Sequence, residues 1–123
     1  MSDQFDLTQL AKNAKDAGYA LAKATTEQKN HALICIADAL MAHKADLLMA
    51  NQADLDEARA NGTSEALLDR INLQKRLDGI VDDIRTVATL PDPVGRIIEE
   101  RVLPNGLRVS RRKTPIGVIG VIY

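Results

Sequence analysis

The sequence predicts a mostly α chain of four to five helices, followed by a β-hairpin and one terminal core strand, as a part of a larger α/β protein. Three observations carry this expectation. Helical periodicity runs through nearly all of the first 90 residues; all four prolines, Pro91, Pro93, Pro104 and Pro115, come after them; and Pro115-Ile116-Gly117-Val118-Ile119-Gly120-Val121-Ile122-Tyr123 is a continuous apolar run. A half-wet antiparallel strand alternates apolar and polar residues, whereas an uninterrupted run belongs inside a parallel sheet covered on both faces. Left in water, Val118, Ile119, Val121, Ile122 and Tyr123 forgo on the order of 8–15 kcal/mol of burial, at ~1.5–3 kcal/mol each. That is as much as a whole domain is typically worth. The expectation is therefore the opening section of something longer, in three parts: a helical part over 1–96, a hairpin over 97–114 and a truncated sheet strand over 115–123.

Each element has a local cause. Asp6 with Gln9 forms a capping-box pattern, and Leu7, Leu10, Ala14, Gly18 and Leu21 line one side of the first helix. Thr25 with Gln28 repeats the signal before a second helix whose Ala32, Leu33, Ile36, Ala37 and Leu40 form an apolar stripe. A third helix, from about Lys44, ends at Asn61-Gly62, where glycine suits the left-handed residue after a helix. A short helix follows Thr63-Ser64. The last long helix spans about Leu73 to Thr89, with Leu77, Ile80, Val81, Ile84, Val87 and Ala88 as the clearest stripe. Leu90-Pro91-Asp92-Pro93-Val94-Gly95 is the boundary. Beyond it, Pro104-Asn105-Gly106 predicts a hairpin turn: proline presets the first turn residue, and glycine accepts the positive φ of a type I turn plus bulge. Counting outward from Leu103 opposite Leu107 sets Glu99 against Arg111 and Arg101 against Val109. So polar a hairpin is marginal alone and calls for further strands of its own or a neighbouring chain.

Composition narrows the function classes. The 123 residues are 46% hydrophobic, but much of this is alanine and the aromatics are only Phe5, Tyr19 and Tyr123, so the core must rest on Leu, Ile and Val. A net charge of −1 gives no reason to expect nucleic acid or an anionic membrane as partner. The charge is uneven: residues 1–90 carry 10 basic and 14 acidic side chains, residues 91–123 carry 6 and 3. A single cysteine, Cys35, excludes an internal disulfide and fits a reducing compartment. No basic region followed by an apolar core marks a signal peptide, and no stretch approaches the ~20 apolar residues of a membrane span. A soluble, cytoplasmic protein is the expectation.

Candidate chemistry is sparse. His31 and Cys35 are four apart on one helix, a spacing that suits two metal ligands or a base and a thiol. No further ligand converges, so a packed cysteine beside a surface histidine is the favoured reading, and no metal is expected. His43 caps or follows the second helix. Asp54, Asp56 and Glu57, and Asp82 with Asp83, read as solvated faces. Arg111-Arg112-Lys113 has no aromatic platform beside it and reads as charge pairing within a sheet or at a subunit contact, not as a nucleic-acid site. Gly117-Val118-Ile119-Gly120 lacks the G-x-G-x-x-G spacing that brings backbone to a pyrophosphate, and its glycines read as places of close packing.

Four motifs in register resemble one family. Ala66-Leu67-Leu68-Asp69-Arg70, Leu90-Pro91-Asp92-Pro93-Val94-Gly95, Leu103-Pro104-Asn105-Gly106-Leu107-Arg108 and Pro115 to Tyr123 are similar to the N-terminal portion of the gamma-glutamyl phosphate reductases. These are also called glutamate-5-semialdehyde dehydrogenases and belong to the aldehyde dehydrogenase superfamily. The resemblance implies an aldehyde-dehydrogenase-like fold. In it, 1–96 is the helical part of the cofactor-binding domain, 97–114 the hairpin of the oligomerisation region and 115–123 the first strand of a Rossmann-like sheet. It implies NADPH-dependent reduction of L-glutamate 5-phosphate to L-glutamate 5-semialdehyde with release of phosphate, the second step of proline biosynthesis. In that family a cysteine thiolate displaces the phosphate and hydride from NADPH reduces the thioester. The family's nucleophile lies beyond residue 123 and Cys35 does not match it, so no catalytic, cofactor-binding or metal residue is carried over, and residues 1–123 alone are expected to be inactive. The implied partners are the remainder of the same chain and a second copy met through the 97–114 hairpin. The alternative is a stand-alone, non-catalytic helix and hairpin interaction module.

Overall fold

Along residues 6–122, which the computed structural model describes, five helices precede one antiparallel hairpin. The helices are α1 (Leu7–Leu21), α2 (Thr26–Ala42), α3 (Lys44–Ala60), α4 (Glu65–Ile71) and α5 (Leu77–Thr89); the strands are β1 (Ile97–Val102) and β2 (Arg108–Arg112). The chain divides into two compact units. One joins the stretch through Thr26 to the stretch from Pro91 onward, and the other is Glu27–Leu90.

The Glu27–Leu90 unit owns the core. Ala37 of α2, Leu55 of α3, Leu68 of α4 and Leu77 with Val81 of α5 are its buried apolar side chains, so each helix contributes. On α5 the buried line is Leu77 and Val81, continued by the partly covered Ile84 and Ala88, while Ile80 and Val87 of the expected stripe are exposed. On α2 only Ala37 is fully buried, and Ile36 is 50% exposed. Lys44 to Asp78 (2.6 Å) and Arg85 to Asp38 (3.1 Å) tie helices together at the surface. Exposed pairs of this kind contribute about 0–1 kcal/mol, whereas burying one Leu contributes ~1.5–3 kcal/mol, so the apolar side chains decide the packing.

Helix boundaries follow their caps. The Asp6 carboxylate accepts from Gln9 N at 3.0 Å. The box is half closed, because the Gln9 side chain donates to Asn13 Oδ1 at 2.8 Å. His43 follows α2 and precedes α3, as expected, and α3 ends before Gly62, whose φ is +76°. The start of α5 differs from the periodicity: it begins at Leu77, not near Leu73. Asn51, on α3, accepts from Leu73 N at 2.8 Å and donates to Ile71 O at 2.9 Å, and Asn72 Oδ1 accepts from Gln74 N at 3.0 Å. Backbone groups that a helix would have used are thereby engaged by side chains.

In the other unit the hairpin has the expected register, with Glu99 opposite Arg111 and Arg101 opposite Val109. Gly106 has φ +84° and donates to Leu103 O at 2.8 Å, closing the turn. An irregularity between Ile97 and Glu99 sets Ile97 against Arg112, and the chains stay together further out as Gly95 N donates to Lys113 O and Lys113 N to Arg96 O. Every residue of both strands is exposed. Residues 115–122 of the expected terminal strand join no ladder among the described residues, and a strand is recognised only where a partner bonds to it. Tyr123, its last expected residue, and Phe5 lie outside the described residues.

Candidate functional site

The helical periodicity of α1 builds a concave feature of the hairpin's unit. Leu7, Leu10, Ala11, Ala14, Gly18 and Ala22 recur at helical spacing and face Pro115, Gly117, Val118, Ile119, Gly120 and Val121 across an open cleft of about 870 Å³. Leu21, expected on this side, is exposed and outside the lining. The close approach falls on the helix and not on the run. A Cβ at Gly18 would stand 2.9 Å from Val118 Cγ2, while Cβ atoms at Gly117 or Gly120 would meet nothing within 4 Å. The glycine of closest packing is thus Gly18, and Gly117 is instead required by its φ of +98°.

Chemically the cleft is a place for apolar contact. Lys15 is its one charged lining residue, and Tyr19 supplies the other titratable group. A nicotinamide dinucleotide needs backbone N–H groups of a glycine-rich turn and a following helix N-terminus for its pyrophosphate. Gly117 and Gly120 lack the G-x-G-x-x-G spacing and precede no helix among the described residues.

The other candidates stand apart from the cleft. Cys35 Sγ is 3.6 Å from His31 Nε2, so the helical spacing does bring the two together. Cys35 is exposed, however, not packed, because α2 buries the Ala37 side and leaves the Cys35 side open. His43 Nδ1 lies 3.5 Å from Asp46 Oδ2 at the exposed start of α3. Asp54, Asp56, Glu57, Asp82 and Asp83 are all exposed, and Asp56 pairs with Arg59 at 3.1 Å. Arg111 and Arg112 are exposed on β2, and the ion pair described across the hairpin joins Arg108 to Glu100 at 3.0 Å. Among the described residues no group of three or more His, Cys, Asp or Glu could hold a metal ion, and no helix is long and apolar enough to cross a membrane.

One polar cluster was not legible from sequence. At the start of α2, Thr26 Oγ1 donates to Asp92 Oδ2 at 2.9 Å, and Val94 N donates to Asp92 Oδ1 at 2.9 Å. Asp92 stands in the proline boundary, where an Asx turn was the available signal; its partner 66 positions earlier in the chain had none.

Comparison with known proteins gives a consistent result. The chain is 54% identical over 119 residues to gamma-glutamyl phosphate reductase of Vibrio vulnificus, a match covering 96% of this chain and 29% of that protein. It is 52% identical over 124 residues to the enzyme of the same name from Shewanella pealeana, covering 100% of this chain and 30% of the relative. Among solved structures, gamma-glutamyl phosphate reductase of Thermotoga maritima superposes with a TM-score of 0.87 at 39% identity, over 91% of this chain and 27% of that one. The Saccharomyces cerevisiae enzyme superposes with a TM-score of 0.82 at 36% identity, over 87% and 28%. The chain thus spans less than a third of the length of these relatives. No protein-family model matches it.

Proposed function

From a chain whose sequence and fold match the N-terminal portion of gamma-glutamyl phosphate reductases, we infer that it is a section of such an enzyme. The intact protein would reduce L-glutamate 5-phosphate to L-glutamate 5-semialdehyde with NADPH, releasing phosphate, in the cytoplasm and on the route to proline. The single observation that carries this reading is the 54% identity over 119 residues. Agreement in fold at a TM-score of 0.87 accords with it.

Within that enzyme the section is scaffold. Residues 1–96 serve as the helical part of the cofactor-binding domain, 97–114 as the hairpin of the oligomerisation region that meets a second copy, and 115–123 as the first strand of the Rossmann-like sheet. Three features support this division of labour. Both hairpin strands are exposed throughout, residues 115–122 leave their backbone without a ladder, and the cleft along α1 is apolar. An acyl phosphate reduction needs a nucleophilic thiol in a site that stabilises developing oxyanion charge. Cys35, exposed on α2 beside His31 and absent from the cleft lining, has no such surroundings, which supports placing catalysis outside residues 1–123.

The test is a chimera in which this chain replaces the matching section of the Vibrio vulnificus enzyme. Phosphate-dependent reduction of NADP⁺ by glutamate 5-semialdehyde, the reaction run backwards, should be retained within about tenfold of the parent. A soluble, cooperatively melting chimera without turnover would overturn the assignment. The 123-residue chain by itself should oxidise no NADPH with glutamate 5-phosphate, and turnover there would show that the catalytic centre lies within it.

A further inference from the structure

We draw no further inference here: the strongest candidate, the apolar cleft that α1 forms with residues 115–121, is an unpartnered apolar face, and nothing in the structure shows what covers it.

Discussion

Gly18→Ala sets two effects of opposite sign against each other. In a helix interior alanine gains about 1 kcal/mol over glycine, so α1 itself should be stabilised. The new Cβ would meet Val118 Cγ2 at 2.9 Å, nearer than real Cβ atoms come. Valine is stiff at χ1 and cannot easily turn that methyl aside, and overpacking against a fixed neighbour costs about 1–3 kcal/mol. Which effect wins depends on whether the neighbour is fixed. Residues 115–122 bond to no ladder among the described residues and Val118 is 55% exposed, so the run gives way and the helix does not. The expected result is therefore split. Amide exchange in α1 slows about fivefold, the equivalent of ~1 kcal/mol, while the nuclear Overhauser contact between the Val118 methyls and residue 18 weakens. Val118→Ala removes the obstructing methyls, and a double-mutant cycle with Gly18→Ala should show a coupling of at least ~0.5 kcal/mol. An unchanged Val118 contact in Gly18→Ala, or additive single substitutions, would refute the packing of the run against α1.

Three further outcomes follow from the described contacts. Asn51→Ala removes both hydrogen bonds that hold the α4–α5 connection, at about 0.5–1.5 kcal/mol each; exchange of the Leu73 amide should rise roughly tenfold, and equal protection would mean the clamp is not formed. Leu77→Ala empties a buried position and should lower stability by about 2–5 kcal/mol, read as a fall in the urea midpoint of the α-helical signal. Leu90→Ala, at an exposed position, should move it by less than ~0.5 kcal/mol, and equal shifts for the two would contradict the placement of the core. Gly106→Ala forces a Cβ into a turn with φ +84° and should cost roughly 1–2 kcal/mol, seen as loss of the cross-strand contacts between Leu103 and Leu107, while retention of both contacts would exclude this turn.

Features with a local cause were legible in the sequence. Asp6 caps α1, Gly62 follows α3, and Pro104-Asn105-Gly106 sets the register of the hairpin, because each depends on residues within a few positions of one another. Features decided at a distance were not. The start of α5 is governed by Asn51, 22 residues before Leu73, which no periodicity reports. The α2 stripe was visible, but burial of Ala37 and exposure of Ile36 depend on which neighbours arrive, and spacing alone does not choose between them. The same holds for Cys35, whose pairing with His31 follows from helix geometry while its exposure does not. Of the candidate site, the apolar side of α1 was readable as a stripe. The sequence points to Gly117 and Gly120 as the glycines of close packing, whereas the approach of Val118 to Gly18 joins residues 100 positions apart, which no local spacing reports.

The division of the chain also dictates an order of assembly. One unit is built from two stretches that flank Glu27–Leu90, so it forms only when the chain has come back on itself. Closing an open loop of that length costs about 3–4 kcal/mol of entropy beyond a constant term, and contacts so distant in sequence form slowly. Residues 27–90 escape that cost, for Leu55, Leu68, Leu77 and Val81 gather from neighbouring helices. Once they have condensed, the open loop between α1 and residues 115–121 is shorter, and closing it costs less entropy. The apolar stripe of α1, which precedes residues 27–90 in the chain, finds its partner only after residues 115–121 have followed them. A substitution such as Leu77→Ala, which touches no atom of the cleft, then delays the cleft all the same.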